Sequence, residues 1–156
     1  MRTFDRRGFL RLAGAAGAVA PLATALGRPA PVTGQLSGAF TFRAVAGLPA
    51  LPLPAYASFV LTGHVDAGSR SGMLTQTVFA GAPGAMSAIA FPGLSRSVRV
   101  TGVQQAGGVL ELTGVVDDRS QLQPGESPLV QVTIDRSAGT VRAPVFGSST
   151  LLDLEA

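Results

Sequence analysis

Tyr56, His64 and Asp66 are the residues of this chain whose types and spacing best suit acid–base chemistry. With Ser58 and Thr62 they fall on alternate positions of one run, so a strand would set all five on one face. A His with a carboxylate two residues further on can relay a proton or hold a polar ligand group, provided that face lines a barrel interior. If the face is outward, the same residues are a wet surface, which is the simpler reading. Asp117, Asp118 and Glu126 form a second group across a polar stretch. Three carboxylates offer the oxygens that a hard cation such as calcium wants. Their spacing follows no regular metal loop, however, and Asp118 or Ser120 as the cap of one helical turn is simpler.

Little other chemistry is available. The chain has one His, one Tyr, no Cys and no Trp, and all twelve of its basic residues are Arg. A cysteine nucleophile, a Schiff-base lysine and a multi-histidine or cysteine metal site are therefore excluded. Gly93-Leu94-Ser95-Arg96-Ser97 lacks the closing Gly of a nucleophile elbow. Neither a phosphate-binding loop with its Lys nor a dinucleotide fingerprint occurs, and no cofactor is implied.

The elements that must position these residues alternate with period two and are punctuated by Gly and Pro, as antiparallel all-β chains are. Eight strands are expected: Leu36 to Val45, Tyr56 to Asp66, Met73 to Phe79, Ala85 to Phe91, Ser97 to Gln105, Val109 to Asp117, Leu129 to Asp135 and Thr140 to Phe146. Gly107-Gly108 and Ser137-Ala138-Gly139 read as hairpin loops, and Ala67 to Gly72 and Pro92-Gly93 as turns. Leu48 to Pro54, rich in Pro, reads as an extended polyproline strap over an open sheet end. The expected architecture is an up-and-down meander, closed as a barrel or folded as a sandwich. Leu61-Thr62-Gly63-His64-Val65-Asp66 echoes Leu112-Thr113-Gly114-Val115-Val116-Asp117, which raises a two-fold duplication of residues 36–92 and 97–147. A Gly in mid-strand in both copies marks a bend or a close backbone approach.

The N-terminal segment is of another kind. Asp5-Arg6-Arg7-Gly8-Phe9-Leu10-Arg11 precedes a mild apolar run from Leu12 to Leu26, and Ala23-Thr24-Ala25 supplies a small-x-small cleavage pattern. The arrangement of Arg6, Arg7, Phe9 and Leu10 resembles the twin-arginine export signal, with Asp5 where Ser or Thr is usual. The resemblance covers residues 1–25. It implies passage through the twin-arginine translocase in the folded state, cleavage after Ala23-Thr24-Ala25, and a working place outside the cytoplasmic membrane. A linker over 26–35 and a single domain over 36–156 would follow, with no membrane span after cleavage.

Charge narrows the function further. Four of the twelve Arg and one of the nine acids lie in the leader, so the mature part is neutral although the whole chain carries +3. Its arginines are scattered, and no polyanion footprint is present, so nucleic acid is not an expected partner. Without Cys there is no lipid anchor at the cleavage site and no disulfide, and the core alone must stabilise the domain. One Tyr and no Trp disfavour a carbohydrate-stacking face. The expectation is a non-catalytic exported module binding a small apolar ligand or an envelope protein. The alternatives are a small barrel enzyme of isomerase, cyclase or lyase type using Tyr56, His64 and Asp66, and a structural or adhesive envelope domain.

Overall fold

A computed structural model of the chain describes residues 37–50, 55–145 and 147–155. Eight strands form, β1 Ala39–Ala50, β2 Ala55–Asp66, β3 Ser71–Ala80, β4 Ala90–Ala106, β5 Val109–Val116, β6 Leu129–Asp135, β7 Thr140–Val145 and β8 Ser148–Glu155. They run antiparallel in sequence order and close as a barrel, β1 meeting β8. Barrel, not sandwich, is therefore the architecture. The leader, its cleavage site and the linker lie outside the described residues.

Alternation decides which side of each strand faces in. Leu110, Leu112 and Val116 of β5 and Val130, Val132 and Ile134 of β6 are buried, while Glu111, Thr113 and Gln131 between them are exposed. An apolar inside with a polar outside is the reverse of a membrane-spanning barrel. The interior is filled: Phe59, Leu61, Leu74, Leu110, Leu112, Ile134 and Leu152 are all fully buried. Eight strands leave room for side chains or for one small ligand, and here side chains occupy it. Burial of this kind contributes about 25 cal/mol per Å² of apolar surface. Gly63 and Gly114, the glycines of the sequence echo, occupy matching inward positions on β2 and β5. A side chain at Gly63 would overlap the Phe42 ring, and one at Gly114 would meet Arg99 O at 2.8 Å.

The loops divide by length. One end of the barrel carries three tight hairpins, at residues 67–70, Gly107-Gly108 and 136–139, with left-handed Gly107 (φ +60°) and Gly139 (φ +67°) where their turns need them. The opposite end carries the longer connections, 81–89 and 117–128, each with one 3-10 turn, Pro83–Ala85 and Arg119–Gln121. Asp118 accepts from Ser120 N at 2.9 Å, capping the second turn.

Three sequence expectations are corrected. Ala85 to Phe91 is not a separate strand. Pro83 starts a helical turn, and the segment folds back so that Ser58 Oγ bonds Gly81 O at 2.7 Å and Ser87 N bonds Ala80 O at 2.8 Å. Pro92-Gly93 is not a turn between strands but lies within the long β4, with Gly93 at φ +74°. Leu48, Pro49 and Ala50 are not a polyproline strap; they extend β1 and pair with Ala57, Tyr56 and Ala55, while residues 51–54 lie outside the described residues. The eighth strand is Ser148–Glu155, where polar Ser148-Ser149-Thr150 and an exposed Leu151 obscure the alternation of inward Leu152 and Leu154.

Candidate functional site

The Tyr56–Asp66 face points outward. Tyr56 is 56% exposed, His64 is exposed and Asp66 half-buried. Eight residues of strand separate Tyr56 from His64, about 27 Å, so the two do not share a site. Asp66 accepts from Gly68 N at 2.8 Å within the β2–β3 turn, and that bond leads the causes holding its carboxyl below the usual aspartate range. His64 does sit in a shallow outer groove of about 510 Å³ with Thr41, Thr62, Met73, Thr75 and the Arg43–Glu155 ion pair. The three carboxylates proposed for a cation are employed apart. Asp117 pairs with Arg99 at 3.0 Å, Asp118 caps its turn, and Glu126 is buried against Arg96. Among the described residues no group of three or more His, Cys, Asp or Glu could hold a metal ion.

Sequence reasoning missed a polar arrangement that the described residues place inside the barrel. Gln76 of β3 and Arg96 of β4 are register partners, and both point inward at the long-loop end. Arg96 Nε donates to Gln76 Oε1 at 2.5 Å. Arg96 Nη1 lies 2.7 Å from Glu126 Oε1, the two side chains being 1% and 6% exposed. Glu126 Oε2 accepts from Gln123 N at 3.0 Å. Burial pushes the Glu126 carboxyl up, but the Gln123 N–H, Arg96 and the Gly147 N–H together outweigh it and hold the pKa below the ordinary value. The Arg96 guanidinium is thus paired with a carboxylate inside an apolar wall. A charged residue at an inward-alternating position of β4 was the available signal.

The far end of this chain of contacts is a strand backbone. Gln76 Nε2 donates to Pro144 O at 3.2 Å. The bond from Val116 N to Pro128 O fixes which residues of β6 face β5, and leaves Leu129, Gln131 and Thr133 facing β7. Leu154 N to Gly139 O fixes β7 in the same way, so that Thr140, Arg142 and Pro144 face β6. The β6–β7 ladder begins at Asp135–Thr140 and stops at Thr133–Arg142. The next rung would join Gln131 to Pro144, which has no N–H to give. Gln76 takes the carbonyl instead.

The other flank of the same hairpin is also short. Ala67 N to Gly38 O sets the even residues of β1 towards β2 and the odd ones towards β8. The β1–β8 ladder covers Arg43–Glu155 to Val45–Asp153 and goes no further; above it β1 offers Gly47 and then Pro49, a second strand residue with no donor. Towards the long-loop end, β7–β8 is therefore a two-stranded flap, held to the barrel by Gln76 on Pro144, with Glu126 and Gly147 lining one recess at its tip. Its inward side chains there, Ala143 and Val145, are buried on the core. Two recesses follow its edge, one of about 400 Å³ by Leu129, Gln131, Arg142 and Pro144, and one of about 160 Å³ by Glu126, Val130, Pro144 and Gly147.

Compared with known proteins, the chain matches no family model, no curated protein and no solved structure.

Proposed function

We propose that this domain is a non-catalytic binding module, working outside the cytoplasmic membrane, whose barrel admits one small apolar molecule beneath the β7–β8 hairpin. The observation that carries the reading is the pair of shortened ladders flanking that hairpin. Elsewhere the wall is sealed by long backbone ladders. Here a side chain, Gln76, bridges to the hairpin, and lifting Ala143 and Val145 would open space walled by buried Val, Leu and Phe. Apolar lining with a few polar groups at one end is what small-molecule sites need.

The exposed His64 gives the acid–base alternative no enclosed site, and barrel closure leaves the adhesive alternative no long free edge among the described residues. An envelope protein is the second reading, and the outer groove with His64, Met73 and the Arg43–Glu155 pair is the observation that favours it.

The test is titration of the full-length protein with the neutral apolar fluorophore N-phenyl-1-naphthylamine. Saturable one-to-one binding, displaced by decanol, is expected, and fluorescence that never saturates overturns the reading. Export by the twin-arginine route has its own test. Arg6→Lys with Arg7→Lys should leave precursor in the cytoplasm, and unchanged export would exclude that route.

A further inference from the structure

We infer that the ligand of this barrel carries an anionic head, a carboxylate on an apolar tail, and that Arg96 binds it in the place now held by Glu126. The inference rests on the apolar-ligand reading above and adds the chemistry of recognition. Arg96 carries a guanidinium whose side chain is 1% exposed, in a barrel whose other described inward positions are almost wholly apolar. Such a charge needs an anion wherever the hairpin stands. Glu126 supplies one from a loop, not from the barrel wall, so the partner and the wall are separable. Glu126 also lines one recess with Pro144 and Gly147 of the β7–β8 hairpin. An incoming carboxylate that displaces Glu126 therefore clears the recess beside the hairpin without breaking the barrel wall.

Gln76 completes the geometry. Its Oε1 fixes the Nε edge of the guanidinium, and its amide holds the Pro144 carbonyl. The guanidinium is thereby aimed at Glu126, beside the 160 Å³ recess bounded by Val130, Pro144 and Gly147. A head group on Arg96 would direct its tail under Ala143 and Val145, towards Val98 and Val132. The exchange is one carboxylate for another, so no proton or electron moves.

The experiment compares decanoate with decanol on the full-length protein by calorimetry. Decanoate should bind about tenfold more tightly, the size of one charge-assisted hydrogen-bonded pair. Glu126→Gln should raise decanoate affinity further, by roughly another tenfold, and leave decanol unchanged. Because that variant leaves a buried charge, a second variant replaces the pair by apolar residues, Arg96→Met with Glu126→Leu, a change folds often tolerate. It should bind decanol and decanoate alike. Equal affinities for the two in the unaltered protein, or a decanoate preference that survives the double variant, would overturn the head-group assignment while leaving the apolar site standing. Binding of neither ligand would remove both.

Discussion

The side-chain amide of Gln76 donates to the carbonyl of Pro144, 68 residues away, where a strand-to-strand bond would otherwise stand. The barrel is closed at this point by a side chain because proline denies the backbone its rung. Restoring the donor should seal the wall. Pro144→Ala is expected to slow amide exchange at Leu129 and Gln131 and to stabilise the fold by about 1 kcal/mol, the net value of one hydrogen bond. The same variant should weaken binding of the apolar fluorophore. Unaltered exchange on both strands would show that proline is not what interrupts the ladder.

Glu126 should make stability depend on pH. Its folded pKa is depressed, so its carboxylate stabilises the fold above the ordinary glutamate value of 4.5, and that contribution disappears as pH falls through the folded value. Asp66, Asp118 and Asp135, each holding turn N–H groups, shift in the same direction and add to the loss in acid. Urea unfolding at pH 7 and pH 3 should show Glu126→Gln costing about 3 kcal/mol at the higher pH and much less at the lower. An equal cost at both would mean that the charge is not what matters.

Gly63 is expected to tolerate no side chain while Phe42 stays, because a Cβ would lie within the ring. Gly63→Ala should cost about 1–3 kcal/mol, the usual penalty of overpacking. Phe42→Leu in the same chain should recover part of it. A double-mutant cycle by thermal unfolding measures the coupling, and strictly additive effects would break the link.

His64 lies outside the barrel. His64→Ala should change stability by no more than about 0.5 kcal/mol, as exposed substitutions do, and should leave fluorophore binding intact. Tyr56→Phe should behave likewise. Loss of binding in His64→Ala would place the ligand in the outer groove instead.

The fold was legible where alternation was clean. β5 and β6 declare their inward Leu, Val and Ile, and Gly107-Gly108 declares its hairpin. β8 was not legible, because Leu151 is an outward apolar residue, 54% exposed, beside inward Leu152. Pro49 reads as part of a strap and Pro144 as part of a strand; both lie in strands, and both fall where the adjoining ladder has stopped. The polar arrangement was hidden for another reason. Gln76 and Arg96 come from paired strands and Glu126 from the loop after β5, so only the folded sheet brings the three together.

In a meander each strand's first neighbour is the next one in the chain, so seven of the eight interfaces involve short separations in sequence. Only β1 with β8 joins distant ends, through three residue pairs. Local zippering is fast, whereas closing a long loop pays its entropy first. The last event in folding is then the meeting of Arg43 to Val45 with Asp153 to Glu155. Until it happens, the nascent sheet has two bare margins on which a second molecule can pair.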